Sequence, residues 1–417
     1  MKNKRFSRVF AVALAIVMCF CMAVPAFAAG TVYTAMAADS LTSTTFDKYL
    51  VMKTEANVPN VSFNYSITKG SATTASNGKF AVSEGYGTPT ISNNGVISFT
   101  SGSTTFATAQ EGDYVKNLGT DEKYTKGSAT VSFAGIVFPE PGVYRYIITE
   151  ANPAKQGITY DSDLTRVLDV YVENASTSEA KLLKITGFVL HANETELAAD
   201  AENFGTAANT APANTAGSDY KSQGFTNKYL TYNLTFSKTV DGNQASRDKY
   251  FAFTVKIEGA LPNTTYNVNL TNADGTSGTN AATIAANANK TNAAAITTDG
   301  SGTVTATFYL QHRQSIIIEG LTEGAVWTVT ENEEDYRASV SVDGAAPKNA
   351  SSATSDNADT DEKEGIIANT TVAFTNYREG VVPTGVLLTI APFAILILAG
   401  IAGVIVILGR KKRASAE

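Results

Sequence analysis

The chain has 417 residues, a formal net charge of -7, and 17% charged and 9% aromatic side chains. That composition excludes a disordered polyelectrolyte, and the length accommodates more than one globular domain. The acidity deepens once the basic residues at the two ends are set aside, which argues against nucleic-acid binding.

Lys2, Lys4, Arg5 and Arg8 precede an apolar run over 9–24 and then Ala26-Phe27-Ala28. This is the pattern of a secretory signal peptide over residues 1–28, cleaved after Ala28. Both cysteines, Cys19 and Cys21, lie within it. The exported portion therefore has no disulfide, although export permits them, and must rely on its cores or on another cross-link. His191 and His312 are the only histidines. Neither has metal-ligand spacing around it, so no metal or cofactor is expected, and both read as ordinary surface or strand residues.

Residues 29–43 are small and polar and read as a flexible lead. Alternating segments follow at 61–67, 129–138, 143–149, 167–172 and 182–190, with turn-rich stretches at 92–95 and 139–142. Residues 192–223, rich in Ala, Asn, Thr and Asp, form a long excursion or a mobile loop. The style then repeats at 251–257, 266–270, 302–310, 315–318 and 325–330, with an Ala/Asn/Thr/Gly-rich insertion at 271–301 and a polar loop at 345–364. Short strands with turn signals and no long amphipathic helix predict an all-β protein of tandem β-sandwiches, over 44–230 and 231–378.

Strand parity singles out six residues. Residues two apart share a face of a strand. Lys48 is in register with Phe46, Leu50 and Met52; Glu150 with Tyr144, Tyr146 and Ile148; Asn227 with Phe225 and Tyr229. The order then repeats. Lys238 is in register with Leu234, Phe236 and Val240, Glu331 with Trp327 and Val329, and Asn376 with Val372 and Phe374. Taken alone, a strand lysine snorkels, a strand-end glutamate is solvated, and an asparagine caps a turn. Three such residues on an apolar face, in one order, twice, point elsewhere.

A lysine, a carboxyl group and an asparagine held together away from water can react without an enzyme. Desolvation favours the neutral, nucleophilic amine and the protonated carboxyl. The glutamate can polarise the asparagine carbonyl and carry protons as ammonia leaves. The product is an amide between the Lys and Asn side chains, tying the first strand of each sandwich to its last.

The C-terminal region has three parts. Val381-Val382-Pro383-Thr384-Gly385 precedes an uncharged span at 386–408, long enough to cross a bilayer at about 20 residues. A basic tail at 409–417, with Arg410, Lys411, Lys412 and Arg413, suits a cytoplasmic end.

The stretches F-D-K-Y-L-V-M, F-P-E-P-G-V-Y-R-Y-I-I-T-E, G-F-T-N-K-Y, L-T-F-S-K-T-V, W-T-V-T-E, A-F-T-N-Y and V-V-P-T-G resemble those of Gram-positive major pilins of the streptococcal isopeptide-linkage family. The resemblance implies that the sandwiches are immunoglobulin-like, with Lys48–Asn227 and Lys238–Asn376 bonds and with Glu150 and Glu331 as proton shuttles. V-V-P-T-G resembles an L-P-x-T-G sorting signal, differing at its first two positions; a sortase would cleave between Thr384 and Gly385. The Y-P-K motif of some pilin families is missing, and Lys221, shortly before the closing strand, resembles the acceptor lysine of the streptococcal form. The implied partners are a sortase, further copies of this chain and peptidoglycan, with tip and basal pilins left open. The implied location is the cell wall or a surface pilus, after transient membrane anchoring. The alternative is a singly wall-anchored adhesin for a host or matrix ligand. A glycosidase would need paired carboxylates in one cleft, whereas Glu150 and Glu331 fall in separate domains.

Overall fold

Alternating β-branched and aromatic residues pair as extended strands, and burial of one face per sheet stacks those sheets in twos. The computed structural model describes residues 33–74, 81–113, 115, 118–175, 181–191, 222–278, 292–349, 354–356 and 365–380, with helical residues at 396–399, 401–402 and 404. In the first domain one sheet runs, neighbour by neighbour, Ala35–Met36, Leu182–His191, Thr165–Asn174, Gly142–Glu150, Val61–Lys69 and Val96–Phe99, and Ser83–Glu84 also pairs with Gly142–Glu150. The facing sheet runs Ile158–Thr159, Gly224–Tyr229, Ser43–Lys53, Glu122–Ser132 and Thr90–Ile91, and Thr105–Phe106 also pairs with Glu122–Ser132. Phe46, Leu50, Phe63, Tyr144, Tyr146 and Phe225 fill the space between them.

The second domain pairs a sheet ordered Ala295–Thr297, Thr265–Thr271, Ser315–Thr322, Thr231–Asp241, Thr370–Tyr377, Arg337–Val342 and Lys348–Asn349 with one ordered Val304–Leu310, Phe251–Glu258, Val326–Glu331 and Thr354–Asp356. Its core includes Phe236, Phe253, Phe308, Trp327 and Phe374. The protein is thus a tandem of all-β sandwiches.

In each domain the first long strand and the last lie side by side and parallel. Phe225 pairs with Lys48 and Asn227 with Leu50. Phe374 pairs with Lys238 and Asn376 with Val240. Both asparagines therefore sit two residues beyond the lysine's register partner, on the same face. Parallel alignment also places the entry and exit of each domain at opposite ends of this strand pair, so a pull on the termini shears it. Gly224 opens the closing strand with φ +156, and a Cβ there would stand 1.7 Å from the carbonyl oxygen of Asp47. Only glycine permits that approach, which accounts for the first letter of G-F-T-N.

One residue, Leu230, separates the closing strand of the first domain from the opening strand of the second. The joint is packed. Thr322 Oγ1 lies 2.8 Å from the hydroxyls of both Tyr229 and Tyr266. Asn57 donates to Asn267 Oδ1 and to the carbonyl of Thr265, and Gln156 donates to the carbonyl of Glu323.

Several expectations need correction. The lead is not free over its described part: Ala35–Met36 pairs with Leu182 and Leu183, and Leu41 N–H donates to the Ile185 carbonyl. The strand expected at 129–138 lies at Glu122–Ser132, because Gly135 turns the chain with φ +80 before Phe138. Strands Ala295–Thr297, Lys348–Asn349 and Thr354–Asp356 fall within stretches expected to be loops. Of the two readings of His191, surface or strand, the strand one holds: it ends Leu182–His191. It is buried, with Nε2 3.2 Å from Asp169, whose carboxylate also takes two hydrogen bonds from Arg145. Among the described residues no helix is long and apolar enough to cross a membrane. The signal peptide, Lys221, the motif Val381 to Gly385 and most of the span at 386–408 lie outside the described residues.

Candidate functional site

Each sandwich holds a buried cluster of lysine, glutamate and asparagine, built from three strands. Lys48 and Asn227 project inward from adjacent strands of one sheet, and Glu150 reaches them from the end of a strand in the other sheet. Their relative exposures are 0%, 0% and 1%, which excludes bulk water from all three. Lys48 Nζ is 2.6 Å from Glu150 Oε1, and Asn227 Nδ2 donates to that same oxygen at 2.9 Å. The lysine ammonium lies 4.6 Å from the ring centre of Phe63. The second domain repeats the arrangement. Lys238 Nζ is 2.5 Å from Glu331 Oε1, Asn376 Nδ2 donates to it at 2.8 Å, and Phe251 lies 4.4 Å under the nitrogen.

Nothing about stability requires these groups. Removing two charges from water costs several kcal/mol each, and apolar side chains of equal volume would serve as well or better. The burial instead sets the proton balance. It pushes the Lys48 and Lys238 ammonium groups down from 10.5 to about 8 in each case, against the opposing pull of their glutamates. Burial likewise raises the Glu331 carboxyl above its ordinary range, although Lys238 and Asn376 work against it. The combination favours a neutral amine beside an amide and a proton carrier that touches both.

The six residues singled out by parity are thus brought together as two sets of three. Sequence parity missed further members. Tyr65, paired across from Glu150, donates its hydroxyl to Glu150 Oε1 at 3.1 Å. The residue opposite Glu331 is Phe253, so the second site lacks that donor. The backbone N–H of Asp161 donates to Asn227 Oδ1 at 2.8 Å. Arg166 is also buried, and it shares the parity of Leu168, Val170 and Val172. An inward arginine is legible by the same test, but the alternating segment expected there begins at residue 167, one position too late to include it. Outside the sites, His312 Nδ1 accepts the Val240 N–H, and burial with nearby Arg247 and Arg313 lowers its pKa.

Cross-linking should be faster at higher pH. The attacking species is the neutral amine, which for a pKa of about 8 is roughly a tenth of the total at pH 7. In freshly synthesised chain, the rate of bond formation is expected to rise about fifteen-fold from pH 6.5 to 8. A rate independent of pH across that interval contradicts the neutral-amine requirement.

Fold and site together define a class: tandem β-sandwiches, each with a lysine, a carboxyl group and an asparagine sealed in its core. Residues 53–230 match the family described as the Spy0128-like isopeptide containing domain, and residues 232–378 match a domain of unknown function, DUF7601. Over its first domain the chain is therefore similar to the Spy0128-like isopeptide containing domains. A pilin of Streptococcus pyogenes serotype M1 is 25% identical over 291 residues, covering 68% of this chain and 72% of that protein. The pilus tip adhesin Cpa of Streptococcus pyogenes is 34% identical over 158 residues, covering 37% of this chain but only 18% of the adhesin. The crystal structure of the major pilin from Streptococcus pyogenes superposes with a TM-score of 0.50 at 20% identity, covering 81% of this chain and 99% of that one, and so shares the fold.

Proposed function

We propose that this chain is the structural subunit of a covalent surface pilus, stapled internally by Lys48–Asn227 and Lys238–Asn376 amides. The observation that carries the reading is the meeting of a lysine nitrogen and an asparagine amide on one buried carboxylate oxygen, in both domains. Lysine Nζ attacks the asparagine Cγ, the Cγ–Nδ2 bond breaks, and the glutamate moves a proton from Nζ to the departing nitrogen, releasing ammonia. The chain acts on itself once and turns over no substrate, so it is not an enzyme. No cofactor enters this chemistry.

Assembly rests on the ends. A sortase would cleave between Thr384 and Gly385 of Val381-Val382-Pro383-Thr384-Gly385 while the apolar span holds the chain in the membrane. The Thr384 carbonyl would pass to Lys221 of the next copy, or to peptidoglycan at the base of the fibre. Likeness to both a pilin and a pilus tip adhesin supports a pilus with other pilin subunits at the cell surface.

The test is co-expression with the sortase of the source cell. A ladder of denaturation-resistant multimers is expected, abolished by Thr384→Ala and by Lys221→Arg. A ladder that survives Lys221→Arg moves the acceptor elsewhere. A single wall-linked species with no ladder supports the second reading, a singly anchored adhesin, which the 34% identity to a tip adhesin favours.

A further inference from the structure

The two sites differ at the carbonyl under attack. In the first domain, Asn227 Oδ1 takes the Asp161 N–H at 2.8 Å. A backbone N–H can only donate, so the atom facing it is the oxygen, and the nitrogen must face Glu150. In the second domain, Asn376 Oδ1 is buried with no hydrogen-bond partner among the described residues.

Arg166 and Asp161 fix that donor in place. Arg166 Nε donates to the Gly224 carbonyl and to Ser222 Oγ, both at 2.9 Å. Its NH1 group holds the carbonyls of Asp163 and Thr165 at 2.8 Å, and NH2 donates to Asp161 Oδ2 at 2.8 Å. The same Asp161 oxygen accepts the Thr226 N–H at 2.9 Å, one residue before Asn227. The guanidinium stacks 4.6 Å from the centre of Phe225. One arginine therefore ties the segment carrying residue 161 to the strand carrying Asn227, through residues 222–226 just before the reacting amide.

We infer that the Asp161 backbone N–H is the oxyanion donor for the first-domain cross-link, with Arg166 as the residue that positions it. This rests on the cross-linking reading above. As Lys48 Nζ bonds to Asn227 Cγ, negative charge gathers on Oδ1, where the N–H already points. The charge returns to the carbonyl as the Cγ–Nδ2 bond breaks, and Nδ2 leaves as ammonia with the proton that Nζ gives up through Glu150. A preorganised donor aimed at such an oxygen is worth about a hundred-fold to a thousand-fold in rate. The second domain has no counterpart among its described residues.

The decisive experiment removes only the N–H. The full chain is made by cell-free translation with an α-hydroxy acid analogue of aspartate at position 161, so that an ester replaces that one amide. After a pulse, samples are digested and the Lys48–Asn227 and Lys238–Asn376 peptide pairs are quantified by mass spectrometry. The expected result is a first bond slowed about a hundred-fold yet still reaching completion, which shows the fold intact, with the second bond unchanged. Arg166→Gln should slow the first bond at least tenfold, and the ester should add little in that background, because both act through one contact. A first bond that forms within twofold of the native rate in the ester chain overturns the proposal. So do ester and Arg166→Gln effects that simply multiply. Absence of the Lys48–Asn227 pair from the unaltered chain is a separate outcome, and it refutes the cross-linking reading itself.

Discussion

Residues 31–380, produced in a host without any sortase, are expected to weigh less than their sequence requires by two molecules of ammonia. Each domain supplies what one loss needs: a buried amine held near neutrality by desolvation, an amide on the adjacent strand, and a carboxyl group touching both. Proximity of this kind replaces an encounter in solution by an effective concentration on the order of 10⁵ M or more, so no external catalyst is required. Glu150→Ala and Glu331→Ala should each restore one ammonia, at the domain concerned and not at the other. These variants also leave a buried lysine without its counter-ion, at about 3–5 kcal/mol, and a cavity besides; Glu→Gln, which keeps the volume and an accepting oxygen though not the charge, is the gentler companion. Folded protein at the full calculated mass means that the clusters are polar packing and nothing more. A single loss that either alanine variant abolishes means that one domain depends on the other.

Loss of either bond should lower stability more than loss of any other single contact in its domain. Asn227→Ala and Asn376→Ala remove the electrophile and leave the lysine and glutamate in place. A cross-link between strands so far apart in sequence restricts the unfolded chain by about 5 kcal/mol on the chain-entropy account. For domains of this size, at about 2–4 °C per kcal/mol, that is a fall of about 10–20 °C in melting temperature, measurable by calorimetry. The parallel pairing of first and last strands adds a mechanical expectation: the shear between them should pass through the proposed amide in the native protein and through hydrogen bonds alone in the variant. The variants should also acquire a pH dependence. Their lysines have a folded pKa of about 8 against 10.5 when unfolded, so between those values the unfolded chain binds more protons. Stability therefore rises with pH from about 8 to 10.5 and stays at its lower level below 8. A melting temperature that is flat across this range shows that the amine is not desolvated when the bond is absent.

The amino-acid order alone carries much of this. A strand has a period of two, so the face on which Lys48, Glu150, Asn227, Lys238, Glu331 and Asn376 lie follows from their apolar neighbours. Their cost as buried polar groups follows equally from residue type. Most of the strand segments are legible in the same way, and with them the all-β class. Parity cannot say which strands become neighbours. That the opening and closing strands lie parallel and adjacent, with the asparagine two residues beyond the lysine's partner, is set by how two sheets close over one core. Only the same closure puts Tyr65 opposite Glu150 but Phe253 opposite Glu331, and brings the segment at Asp161 onto the Asn227 carbonyl. It also decides that Tyr49 and Val51, on the outward parity of their strand, are buried beside Tyr124 instead of facing water. Which residues could react is a matter of side-chain chemistry and a period of two, both local properties that the order of residues settles. Which of them meet, and what steadies them, is settled by the fold, because those contacts join segments up to 179 positions apart, such as Lys48 and Asn227, and depend on the packing of every strand between.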